Sequence, residues 1–237
     1  PMPQLRSLFA LCVCSVLFLL PPFAPSPNAA PPPPPPPATW KVLGWNDLGM
    51  HCMDSDFSVF TILPPFNDLR AQAIDDTGHL VGTLPAGYTV KYEAVADPSG
   101  SINTTSSWKT NYWANAGALF GAGATPDTGL AGHDMPGPSN TPQSFAYNAS
   151  RKLFEADGVP ITPYDDAGRK RYYPLMKVVV RDAAGAVKAS TAAVLPVSDE
   201  LDCRACHASG GSPAAAPVGG WVFNASSDRD YRLNVLK

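Results

Sequence analysis

Five residues near the C-terminus, Cys203-Arg204-Ala205-Cys206-His207, have the types and spacing that do chemistry. Two thiols three positions apart lie on one turn of helix, and the residue after them carries an imidazole. This is the C-x-x-C-H signature, in which the thiols reach the two vinyl groups of one porphyrin and the histidine takes its iron. With five Cys and four His in 237 residues, chance yields the pattern on the order of 0.002 times per chain. The expectation is haem c, held covalently by Cys203 and Cys206 and ligated on the proximal side by His207.

Three other readings compete. A dithiol redox pair opens a helix after a parallel strand in a βαβ setting, and that pattern is absent. A zinc site needs a fourth ligand, for which Cys52 is available, but adjacent Cys206 and His207 make tetrahedral closure awkward. A structural disulfide leaves His207 unexplained.

A second constellation lies in Gly44-Trp45-Asn46-Asp47-Leu48-Gly49-Met50-His51-Cys52-Met53-Asp54-Ser55-Asp56. Its donors make it a source for the second axial ligand: His51 gives bis-histidine iron, whereas Met50, Met53 or Met135 gives His/Met iron of higher potential. His51 leads, followed by His133 and Met135, then His79; a ligand beyond Lys237 is the remaining option. Cys52 is the odd thiol once the pair holds haem, and burial is its expected fate. Asp47, Asp54 and Asp56 lack EF-hand spacing and read as turn and surface acids. Three sequons, at Asn103, Asn148 and Asn224, mean nothing in a bacterial host. With no phosphate loop, G-x-S-x-G elbow or H-E-x-x-H, no hydrolase is indicated. The net charge of −3 marks no nucleic-acid footprint.

These residues need elements to position them. Arg6, the apolar run from Leu8 to Leu20 and the small residues up to Ala30 read as a signal peptide over 1–30, so the body is expected to be exported and without a stable membrane span. Pro31 to Pro37 dominate a polyproline II linker over 31–39. From Trp40 to Val197 short β-prone runs alternate with Gly, Pro, Asn and Asp, predicting an immunoglobulin-like β-sandwich. Strands are expected at Lys41–Gly44, Ser58–Leu63, Leu69–Ile74 and Tyr88–Ala96. A hairpin should join Leu175–Arg181 to Val187–Leu195 through Asp182-Ala183-Ala184-Gly185. Asp97 to Tyr173 is too long for a turn and reads as an insertion with one helix, its face formed by Trp108, Tyr112, Trp113, Ala116, Leu119 and Phe120, ending at Gly121. The last strand is expected to run through Leu195-Pro196-Val197 into a haem-bearing segment over 198–237, its short helix started by Ser198-Asp199-Glu200. A further helix capped by Ser226 or Ser227 presents Tyr231, Val235 and Leu236 as its apolar face and breaks off at Lys237, as though the natural chain continued.

The run from Gly44 to Phe60, Pro142-Gln143, Ile161-Thr162-Pro163-Tyr164-Asp165-Asp166 and the hairpin leading into Cys203 resemble the N-terminal part of large exported multihaem c-type cytochromes of bacteria. The likeness covers most of Trp40 to Lys237. It implies further haem motifs downstream, a periplasmic or extracellular place in electron transport, and redox proteins or other haem domains as partners. Only Cys203, Cys206 and His207 carry over as functional residues; a single motif departs from the multihaem pattern. The combined expectation is an electron carrier rather than a catalyst, with Arg204 as a local cation disfavouring ferric iron. The other reading is a secreted binding module with a structural haem or metal.

Overall fold

Strand formation follows the period-2 burial that these sequences encode. In the computed structural model, which describes residues 39–237 except 62, 122 and 200–202, Thr89–Val95 alternates between half-buried and buried at every position. The leader, most of the linker and Glu200 lie outside the described residues.

The chain is mainly β. In order it forms β1 (Lys41–Trp45), β2 (His51–Cys52), β3 (Phe66–Ile74), β4 (Thr89–Val95), α1 (Tyr112–Phe120), β5 (Gln143–Ser144), β6 (Ala146–Asn148), β7 (Leu153–Pro160), β8 (Leu175–Arg181), β9 (Val187–Val194), β10 (Val197–Ser198), α2 (Arg204–His207) and α3 (Ser227–Leu236), with a 3-10 turn at Pro213–Ala215. Two four-stranded antiparallel sheets have the orders β1-β3-β7-β6 and β5-β4-β8-β9. Val42, Leu69, Ala71 and Val159 of the first share one core with Tyr92, Met176, Val178, Val180 and Ala193 of the second. At Gly44 the sheets approach so closely that a Cβ would sit 3.0 Å from Thr191 Cγ2 and 3.1 Å from Val178 Cγ2.

One turn recurs. Asp75, Asp97, Asp165 and Asp182 each accept, through Oδ1, the backbone N–H groups two and four positions ahead. Each is followed three residues on by a glycine at positive φ, a backbone state that glycine reaches without a Cβ clash. The β8–β9 hairpin closes this way, as its sequence predicts.

Several expectations are corrected. Ser58 lies in a turn and Phe60–Thr61 carry no strand; buried Phe57 instead receives the ring edge of Tyr112 at 4.9 Å. The segment from Asp97 to Tyr173 is more than a helical insertion, since it supplies β5, β6 and β7, and β7 pairs with β3 in the first sheet. Helix α1 begins at Tyr112, after the expected Trp108, which stands 64% exposed at φ 58. The helix does end at Gly121, in the left-handed conformation. The last long strand stops at Val194, and β10 leaves that sheet to pair in parallel with β2.

Candidate haem-binding site

Helix α2 is a single turn that carries the Cys203–His207 motif. Its N-cap is Cys203 itself, and the closing bonds run from His207 N–H to the Cys203 carbonyl at 2.8 Å and from Ala208 N–H to the Arg204 carbonyl at 3.2 Å. The expected start at Ser198-Asp199 is corrected. Ser198 belongs to β10, and the Asp199 carboxylate accepts from Tyr164 Oη at 3.2 Å and pairs with Lys170 Nζ at 2.5 Å. Past the helix the chain reverses, with Ser212 N–H donating to the Cys206 carbonyl at 3.0 Å. A Cβ on Gly211 would lie 2.6 Å from the Cys206 oxygen and 2.8 Å from that of Ala208, so the reversal admits only glycine without a shift.

The motif rests on α3. Asp230 accepts three bonds from the intervening chain: Ser209 N–H at 2.7 Å, Ser209 Oγ at 2.8 Å and Asn224 N–H at 2.7 Å. Those backbone bonds hold its carboxyl below the usual carboxylate range. Asn234 Oδ1 accepts from Val222 N–H at 2.7 Å. The buried face of α3 is Asp230, Tyr231, Arg232 and Asn234, while Val235 and Leu236 are exposed. Of the apolar face expected there Tyr231 is buried, but Val235 and Leu236 are not, because the helix packs on main-chain polar groups.

Arg232 ties this assembly to the loop after β2. Its guanidinium lies 2.6 Å from the buried Asp54 carboxylate and 3.5 Å from Asp56, and its Nε donates to Tyr231 Oη at 2.9 Å. The three acids of the loop read from sequence as surface groups are therefore paired: Asp47 with Arg70 at 2.8 Å, Asp54 and Asp56 with Arg232. Asn111 adds a clasp, accepting from Phe57 N–H at 2.6 Å and donating to Asp56 at 2.9 Å. Sequence reasoning missed Arg70, Asn111 and Arg232, because each acts across more than 20 residues and no local pattern marks them.

The distal candidates are scattered. His51 is buried in β2, with Nε2 at 2.6 Å from the Pro64 carbonyl and its pKa lowered by burial. Its strand lies beside β10, where His51 N–H donates to the Pro196 carbonyl at 3.1 Å and Met53 N–H to that of Ser198 at 2.9 Å. Met53 and Met135 are core residues, and Met50 is exposed. His133 lies 3.3 Å through Nδ1 from the Ser144 carbonyl, and exposed His79 receives or gives a bond with Thr77 at 2.7 Å. Cys52 is half-buried opposite Ser198. Among the described residues no three His, Cys, Asp or Glu side chains gather as a group that could hold a metal ion.

Cys203 and Cys206 are not joined in a disulfide, and Cys206 is exposed. His207 Nδ1 is buried and has no hydrogen-bond partner among the described residues. Beside them opens a cleft of about 280 Å³ lined by Arg204, Ala208, Phe223, Asn224 and Asp230, with Phe223 81% exposed on its rim. Arg204 faces Asp228 at 3.4 Å, both half-exposed, which offsets the local positive charge expected of it.

Among the described residues no helix is long and apolar enough to cross a membrane. Comparison of the chain with protein-family models, with curated proteins and with solved structures finds no match.

Proposed function

We propose that the chain is an exported c-type cytochrome module that transfers electrons through one covalently held haem. The observation that carries this reading is the coincidence, on one helical turn, of two thiols three positions apart and an imidazole whose buried Nδ1 has no hydrogen-bond partner among the described residues. Cys203 and Cys206 would hold the porphyrin by thioether links, and His207 would ligate its iron. The haem, when bound, supplies the one-electron chemistry. The Gly211 reversal and the Asp230 bonds hold the backbone that follows the turn carrying the two thiols and His207. His51 is the distal candidate carried forward, supported by the β2–β10 pairing beside the approach to Cys203; ligation would exchange its bond to the Pro64 carbonyl.

The fold reading at finer grain is an immunoglobulin-like sandwich. In its support, relabelling β1, β3, β7 and β6 as A, B, E and D, and β5, β4, β8 and β9 as C′, C, F and G, reproduces the order of that fold. The resemblance to bacterial multihaem cytochromes supports periplasmic or extracellular placement with redox proteins or other haem domains as partners. Pyridine haemochrome spectra test the assignment: the wild-type chain should give the spectrum of two thioether links, and Cys206→Ala that of one or none. An unchanged Cys206→Ala spectrum contradicts it. Reversible reduction with sharp bands favours an electron carrier, whereas a featureless spectrum favours a binding module.

A further inference from the structure

Between Ser101 and Lys109 six polar residues, Ser101, Asn103, Thr104, Thr105, Ser106 and Lys109, are buried, a combination that costs stability unless every group is bonded. At the end of this stretch the Lys109 side chain is completely buried, and Nζ donates to Asn103 Oδ1 at 2.7 Å and to Asp166 Oδ1 at 2.8 Å. The Asn103 carboxamide is fixed, since Nδ2 donates to the Thr162 carbonyl at 2.7 Å. The Asp166 carboxylate is aimed by Thr104, whose N–H and Oγ1 both donate to it. A desolvated amine and a buried carboxamide are thus held within bonding reach of each other, with a partly exposed carboxylate on the amine.

We propose that Lys109 and Asn103 join in an intramolecular isopeptide bond that the folded domain makes unaided. Asp166 takes one proton from the Lys109 ammonium, and the freed Nζ pair adds to Asn103 Cγ. A second Nζ proton passes to Nδ2, the Cγ–Nδ2 bond breaks, and ammonia leaves, carrying the proton held on Asp166. One C–N bond forms as another breaks and no atom changes oxidation state, so no external reagent enters. Burial lowers the Lys109 pKa even with Asp166 beside it, which favours the nucleophilic form. Prior positioning supplies the rest, as effective molarities of about 10⁵ M or more for well-oriented intramolecular partners illustrate. The product locks the 103–109 loop, including Trp108 at its positive φ. It does not depend on haem.

The test is a peptide map of the folded, exported wild-type protein after denaturation and trypsin. Acylated Lys109 is no longer cut, so the chain from Tyr92 should run uncut to Arg151 and weigh less by one ammonia. Asp166→Asn, checked for folding by near-UV circular dichroism, should drop the cross-linked fraction from near complete to background, and Lys109→Arg should restore cleavage and full mass. Ordinary cleavage after Lys109 in wild type, with both peptides at full mass, overturns the proposal. Undiminished linkage in folded Asp166→Asn overturns the role of Asp166.

Discussion

Replacing Arg232 with Met keeps an unbranched stem and removes a guanidinium that is 5% exposed from an Asp54 carboxylate that is 0% exposed. Deleting one member of a buried ion pair costs about 3–5 kcal/mol, since the remaining charge loses the partner that offset its desolvation. Because α3 is the platform for the Cys203–His207 turn, the loss should appear there first. For a folded body of this size the cost corresponds to a fall in melting temperature on the order of 10 °C, or to local release of α3 if the β-sheets stay intact. Thermal melts by circular dichroism and the rate of tryptic cutting after Arg229 separate these outcomes. Substituting both partners, Asp54→Leu with Arg232→Met, should recover much of the loss, because an apolar pair of similar volume often replaces a buried ion pair at little cost. A single variant with wild-type melting and wild-type resistance at Arg229 would refute the reasoning.

Gly211→Val should cut covalent haem loading sharply while leaving β-sheet circular dichroism unchanged, since its Cβ collides with the Cys206 carbonyl oxygen and not with the core. Leu69→Ala, which opens a cavity at a fully buried position of β3, should cost about 2–5 kcal/mol by chemical denaturation. His51→Ala should turn six-coordinate iron five-coordinate in the optical spectrum if His51 is the distal ligand, and an unchanged spectrum removes it from that role. Acid should destabilise the chain in a defined window. Burial pushes the carboxyls of Asp165 and Asp166 up, but hydrogen bonds from Arg169, Ser101, Lys109 and Thr104 outweigh it and leave both below the ordinary 3.8. The unfolded chain therefore binds more protons there, so their contribution is full above about pH 4 and is lost as pH falls through the lowered values. Titrated denaturation midpoints in Asp166→Asn should show a shallower loss.

What could be read from the sequence followed short-range physics. Periodic apolar residues located β1, β3, β4, β8 and β9, and the Asp-x-x-Gly signal set the β8–β9 turn. The same signal at Asp75, Asp97 and Asp165 was open to the same reading, and at Asp165 it marks the turn between β7 and β8. Strand β7 stayed hidden because Glu155, Asp157 and Gly158 interrupt its apolar run, while its pairing with β3 spans the middle of the chain. Trp108 fitted the helical spacing, but its left-handed backbone lies outside the helix, a conformation no apolar period reveals. The short helix carrying the Cys203–His207 motif was legible from the spacing of the motif, which the structure places on one helical turn. Its support was not, since Asp230, Asn234 and Arg232 act on backbone and acids brought near only by the fold.

The central claim is tested most directly by intact-mass measurement of the matured, exported protein. The account predicts the mass of the chain plus one haem, retained under denaturation, with the thiols of Cys203 and Cys206 both blocked. A colourless protein in which both thiols titrate freely or hold zinc contradicts it.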